Sequence, residues 1–123
     1  MAQTRIIRIK YLLRELGIPP HILGYLYTAE AVNYMASIQS APLLINDVYQ
    51  HIAAIYVTSG ACVEASIRNA VRKAINSPTP LFQELFKTEK MVGNHMFLTT
   101  LRDVFEEKNL EYITQRLETV WSY

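Results

Sequence analysis

The chain has 123 residues, half of them hydrophobic, and a formal net charge of +1 at pH 7. That length suits one domain with a modest core, and so small a charge gives no global field for nucleic acid, so a basic surface must be local. One cysteine, Cys62, excludes an intramolecular disulfide and a cysteine-based zinc site and fits a reducing cytoplasm.

Residues 4–16 read as a basic amphipathic helix, with Ile6, Ile9, Leu12, Leu13 and Leu16 inward and Arg5, Arg8, Lys10 and Arg14 in water. Gly17 ends it, Ile18-Pro19-Pro20 turns the chain, and Pro20 suits a first helical position. Residues 20–38 then form a longer helix burying Ile22, Leu26, Ala29, Val32, Met35 and Ala36. Ser40-Ala41-Pro42 separates it from the next unit. From Asp47 the chain reads helix, tight turn, helix. Val48, Ile52 and Ile55 share the inner face of the first helix, with Ala53 small enough for close approach. Tyr56-Val57-Thr58-Ser59-Gly60 disfavours continuation, and Thr58 or Ser59 can cap the next helix.

The second helix of this unit, about 59–75, buries Val63, Ile67, Ala70, Val71 and Ala74 at spacings of four, three, one and three. Its other face carries Ala61, Glu64, Ala65, Arg68, Asn69, Arg72 and Lys73. This is the layout of a helix-turn-helix at about 44–75, whose second helix presents its outer face to the DNA major groove. Two short amphipathic helices joined by a small-residue turn also occur in all-α domains that never meet DNA, so the pattern alone does not decide.

After Ile75, Asn76-Ser77-Pro78-Thr79-Pro80 breaks the chain, and a short helix at 81–86 offers Leu81, Phe82, Leu85 and Phe86 to the core. A loop from Lys87 to Gly93 holds Lys87 and Lys90. Asn94 is a good cap for a helix through about Glu107 that buries Phe97, Leu101, Val104 and Phe105. A last helix at 109–121 lines up Leu110, Ile113, Leu117, Val120 and Trp121, a stripe for completing the core or, as favoured here, for self-association.

No segment shows the alternation of strands, so the expected fold is all-α, a compact bundle of about six to seven helices. The domain expectation is one effector unit over 1–108, with 109–123 as its C-terminal helical extension. No apolar run approaches the roughly 20 residues that span a bilayer, and no membrane partner is expected. His51 and His95 belong to no HExxH or similar metal pattern, and neither a Gly-rich phosphate loop nor a nucleophile set is present. No cofactor, metal, catalytic residue or small-molecule substrate is expected; the chain does not read as an enzyme.

The segment Gly17-Ile18-Pro19-Pro20-His21-Ile22-Leu23-Gly24-Tyr25-Leu26-Tyr27 resembles a block of the C-terminal DNA-binding effector domain of the master response regulator of sporulation. A second match runs through Ile52-Ala53, Thr58, Val63-Glu64, Ile67-Arg68 and Ala70, and a weaker one is Asn94-x-x-Phe97. Together they cover roughly residues 3–107, in the family's order and spacing. The resemblance implies a six-helix domain that binds promoter DNA as tandem dimers through its helix-turn-helix. It also implies a preceding receiver domain whose phosphorylation releases the effector. Met1 stands directly before the first effector helix, so an effector with no aspartate switch of its own is expected.

The resemblance further implies that Glu64 and Arg68 contact DNA, while the family's arginines are replaced here by Cys62 and Ala65, and a lysine by Leu23. Arginine reads guanine through two hydrogen bonds, each such contact being worth about 1–3 kcal/mol of discrimination. The expected DNA-contacting set is Thr58, Ser59, Ala61, Cys62, Glu64, Ala65, Arg68, Asn69, Arg72 and Lys73, with Arg68 as base reader. Arg72, Lys73 and Asn69 are placed on the backbone, as are the phosphate contacts of Thr58 and Ser59 at the helix N-terminus. His21 is expected to brace the Pro19–Gly24 turn. The partner is double-stranded promoter DNA, bound by a homodimer or tandem subunits. The alternative is a non-catalytic protein-interaction module that has lost base readout with Cys62 and Ala65 and modulates a full-length regulator by hetero-association.

Overall fold

In the computed structural model, residues 2–38, 44–87 and 91–105 are described, with side chains from Thr4 onward. Among them are six helices and no strand: α1 (Ala2–Glu15), α2 (Leu23–Ser37), α3 (Ile45–Tyr56), α4 (Gly60–Asn76), α5 (Pro80–Phe86) and α6 (Asn94–Val104). The all-α expectation holds. No described helix is long and apolar enough to cross a membrane. The expected spacer Ser40-Ala41-Pro42, Lys90, Glu107 and the helix at 109–121 lie outside the described residues.

α1 buries Ile9, Leu12, Leu13 and, just past its end, Leu16. Gly17 stops it with φ +88°, a backbone that side chains with a Cβ rarely adopt. The Gly17 and Ile18 N–H groups then donate to the Arg14 and Leu13 carbonyls at 3.0 and 3.1 Å, and Ile18 drops into the core. Arg5 is not simply in water, as its place on the polar face implies. Its Nε donates to Asn33 Oδ1 at 2.7 Å and its Nη2 to the Asn33 carbonyl at 3.2 Å, tying α1 to α2. Tyr25 makes a second tie, its hydroxyl donating to the Lys10 carbonyl at 3.0 Å.

α2 starts at Leu23 rather than residue 20, and Pro20 is not its first helical residue. A residue before proline is pushed out of the helical region, which keeps Ile18 and Pro19 out of the helix. A turn follows, closed by the Ile22 N–H on the Pro19 carbonyl at 3.4 Å, and Ile22 is still extended at φ −90°, ψ 149°. The helix is the hub of the bundle, packing against α1, α3, α4 and α6. With neighbours on so many sides it buries Gly24, Tyr27, Thr28, Ala29, Ala31, Val32 and Met35, a wider face than one amphipathic stripe. Ile22, Leu26 and Ala36, expected inside, are only half-buried.

The α2–α4 contact depends on one residue. A Cβ on Gly24 would stand 2.2 Å from the Ser66 carbonyl oxygen and 2.8 Å from Ala70 Cβ. The backbone of α2 therefore lies directly on α4, a close approach that only glycine permits. Two aromatic contacts brace the bundle's flanks. Tyr34 of α2 stacks on His51 of α3 with ring centroids 3.6 Å apart, and Phe97 of α6 stacks on Phe86 of α5 at 5.3 Å.

α5 begins as its sequence dictates: Thr79 Oγ1 accepts from the Phe82 N–H at 3.2 Å and Pro80 occupies the first turn. α6 does not. Gly93 is its N-cap, and Asn94 is the first helical residue, its side chain turned to other partners. The reading of Asn94 as a cap is thus corrected. Phe97, Leu101 and Phe105 are buried as expected, joined by Leu98, while Val104 is half-buried.

Candidate nucleic-acid interface

α3 and α4 meet through the turn Val57-Thr58-Ser59. Val57 is left-handed (φ 53°, ψ 56°), and its N–H and that of Thr58 both turn back to the Ala53 carbonyl. A β-branched residue there is strained, and its side chain projects almost wholly into solvent at 92% exposure. Ser59 is extended and is the cap: its Oγ accepts from the Cys62 N–H at 3.1 Å. Thr58, the other candidate, is not. Because Oγ only accepts in that bond, the Ser59 hydroxyl hydrogen remains available to an outside acceptor such as a phosphate oxygen.

Ile55 is expected inside and is instead 52% exposed. At about 100° per residue, the inner arc of α3 runs from Val48 through Ile52, Tyr56 and Tyr49 to Ala53. Ile55 falls just beyond the Val48 edge. The period read from the sequence is correct for this helix, but its centre lies further round, because Tyr49 is buried as well.

On α4 the expected stripe Val63, Ile67, Ala70, Val71 and Ala74 is buried, with Gly60 added at the start. Ala61, Cys62, Glu64, Ala65, Arg68, Asn69, Arg72 and Lys73 are all exposed. The fold thus brings eight of the ten expected contact residues onto one helix surface, and Thr58 and Ser59 lie at its start. The face is graded. Its first half holds the small side chains of Ala61, Cys62 and Ala65 around Glu64, and its second half holds the cations Arg68, Arg72 and Lys73.

Arg68 Nη2 donates to Glu64 Oε1 at 2.9 Å, one turn apart, with the two side chains 45% and 48% exposed. An exposed pair of this spacing contributes about 0.3–0.5 kcal/mol, so it orients the guanidinium without committing it. One of its five N–H donors is engaged in a hydrogen bond among the described residues. A bidentate acceptor in a groove would outweigh the pair.

Two neighbours that sequence reasoning missed fix this helix from behind. Asn94 Nδ2 donates to the Glu64 carbonyl at 3.0 Å and to Tyr49 Oη at 3.1 Å. Tyr49 is nearly buried. Burial pushes its hydroxyl above the ordinary tyrosine value, the Asn94 bond lowers it, Glu64 raises it and Arg68 lowers it. No spacing could have found these bonds, since the partners lie 30 and 45 residues apart.

His21 is exposed and no hydrogen bond among the described residues braces the Pro19–Gly24 turn through it, which corrects the expected role. Leu23 is exposed at the start of α2, and Lys87 is exposed after α5 with φ 52°. Among the described residues no group of three or more His, Cys, Asp or Glu side chains could hold a metal ion. Compared with known protein families, the chain matches the one described as the sporulation initiation factor Spo0A C terminal over residues 9–104. That span takes in all six helices, save the first turns of α1.

Proposed function

This chain belongs to the Spo0A C-terminal family of sporulation initiation factors, a family of DNA-binding effector domains and not a catalytic one, and from that premise we propose that it is a sequence-specific DNA-binding regulator of transcription. In this reading α4 enters the major groove, Arg68 and Glu64 read base edges, and Asn69, Arg72 and Lys73 follow the backbone. Thr58 and Ser59 meet phosphate at the helix N-terminus, where the dipole favours an anion. Ala61, Cys62 and Ala65 let the first half of α4 sit close to the groove floor. Subunits bind promoter DNA as a homodimer or in tandem.

The observation that supports this reading is the division of α4. Its apolar stripe is wholly occupied by the core, while three cations on the opposite face are exposed. With a chain charge of only +1, attraction to DNA comes from local groups of cations such as this one, so affinity falls steeply with salt. The test is selection of a randomised duplex library at low and moderate salt, with Arg68→Ala in parallel. We expect a defined site to be enriched and Arg68→Ala to weaken it by about 1–3 kcal/mol, roughly five- to 150-fold. Binding without a preferred sequence, indifferent to Arg68→Ala, would refute the reading.

The bare first half of α4 favours a second reading, in which base readout is lost and the chain modulates a full-length regulator by hetero-association. The double variant Cys62→Arg with Ala65→Arg separates the two. A DNA reader changes its preferred sequence, whereas an interaction module acquires DNA binding that the natural chain lacks.

A further inference from the structure

Hydrophobic burial decides which face of a helix turns inward, but it is non-directional and leaves the helix free to slide or roll by fractions of an ångström. A reading helix needs better, because contacts to base edges are made or lost over such distances. On α4 the close approach of Gly24 fixes the helix at Ser66 and Ala70, while the turn nearer its N-terminus, where Glu64 sits, has Gly60 and Val63 buried beneath it. Directional bonds from outside the helix can fix the register of that turn.

The Asn94 amide supplies them. One Nδ2–H points at the Glu64 carbonyl (3.0 Å) and the other at Tyr49 Oη (3.1 Å). A carbonyl can only accept, so the amide orientation is determined by its partner. Asn94 is itself held by α6, where Phe97, one turn on, is fully buried and stacked on Phe86. Tyr49 is anchored in α3, the other helix of the helix-turn-helix. Three helices therefore converge on one side chain, and the backbone atom it holds belongs to the residue whose carboxylate orients Arg68.

We propose that Asn94 is a positioning residue for DNA recognition: it pins α4 at Glu64 and so sets the register in which the Glu64–Arg68 pair meets the bases. The inference rests on the reading of α4 as the DNA-reading helix. It assigns Asn94 no contact with DNA, so loss of the amide should degrade discrimination while leaving the sequence-independent attraction to phosphate intact.

The experiment uses the full chain with Asn94→Ala, Asn94→Asp and Tyr49→Phe. Asn94→Asp removes both donors while leaving at the first turn of α6 an acidic residue that favours a helix start. Affinity is measured for the duplex selected by the natural chain and for a scrambled duplex of equal length. Expected are a fall of about tenfold or more in the ratio of selected to scrambled affinity for both Asn94 variants, scrambled binding unchanged within about twofold, and a near-natural ratio for Tyr49→Phe, which keeps the Glu64 bond. Equal losses on both duplexes, or no loss on either, overturn the proposal. Amide hydrogen exchange of α4 in the absence of DNA is read on the same proteins. If the natural chain selects no sequence, the DNA-reading function fails on its own. The pin is then judged by exchange alone: faster exchange through the first turns of α4 in both Asn94 variants upholds it, and unchanged exchange rejects it.

Discussion

Helices α2 and α4 touch where Gly24 lies on Ser66 and Ala70, yet they use their side chains in opposite ways. α2 has one charged residue in fifteen, Glu30, and only Leu23 and Ser37 of its length are exposed. α4 commits one stripe to the core and leaves its remaining face, with Glu64, Arg68, Arg72 and Lys73, open. The difference shows where this fold tolerates change. On α2 almost every substitution is a packing problem, because four helices surround it. On the outer face of α4 a substitution falls on an exposed position. The departures that the resemblance implies, at Leu23, Cys62 and Ala65, all fall on exposed positions.

The sharpest way to break this comparison is to substitute neighbours on α2. Gly24→Val drives a branched side chain into the Ser66 carbonyl, and neither backbone can yield without parting the two helices. We expect a loss of about 3 kcal/mol or more, the upper end for overpacking, seen as a fall of roughly 10 °C or more in the thermal midpoint. Leu23→Lys, one residue away but exposed, should stay within about 0.5 kcal/mol. Equal effects for the two would mean that α2 and α4 are not in close contact.

A smaller effect tests the interior of α2. Thr28 is fully buried, and its Oγ1 has no hydrogen-bond partner among the described residues. Thr28→Val keeps the shape and removes the unsatisfied hydroxyl, so urea unfolding should report a gain of up to about 1 kcal/mol. A clear loss would reveal a partner for that hydroxyl.

The smallest effect near neutrality, and a growing one above pH 10, comes from the tyrosines. Burial raises the hydroxyls of Tyr25, Tyr49 and Tyr56 above the ordinary value of 10.0. Arg14 partly offsets the rise at Tyr25, and Glu30 adds to it at Tyr56. The unfolded chain then releases protons near pH 10 that the folded chain still holds, so stability declines as pH rises through 10 and on through the raised folded values. Urea midpoints should be flat from pH 8 to about 9.5 and fall beyond it, less so in Tyr49→Phe. All three tyrosines belong to α2 and α3, so alkaline pH loosens the scaffold and not the outer face of α4. A midpoint that rises above pH 10 would contradict this.

Much of the fold was legible in the sequence, for local reasons. Gly17 had to end α1, Asn76-Ser77-Pro78-Thr79-Pro80 had to break the chain before α5, and the spacing from Val63 to Ala74 had to make a stripe, because backbone conformation and a 3.6-residue repeat are properties of a few adjacent residues. The exposed set on α4 comes from the same repeat. What the sequence could not supply is how many neighbours each helix has. A periodic pattern marks one inward direction, so it missed Tyr27, Thr28 and Ala31, which are buried because α2 is enclosed on several sides, and misplaced Ile55 at the edge of an arc centred elsewhere. Nor could it foresee that the Asn94 amide reaches the Glu64 carbonyl and the Tyr49 hydroxyl. As an isolated residue Asn94 reads as a helix cap. Only after hydrophobic collapse has brought α3, α4 and α6 together does the direction of its two N–H bonds acquire partners, and tertiary structure alone decides that.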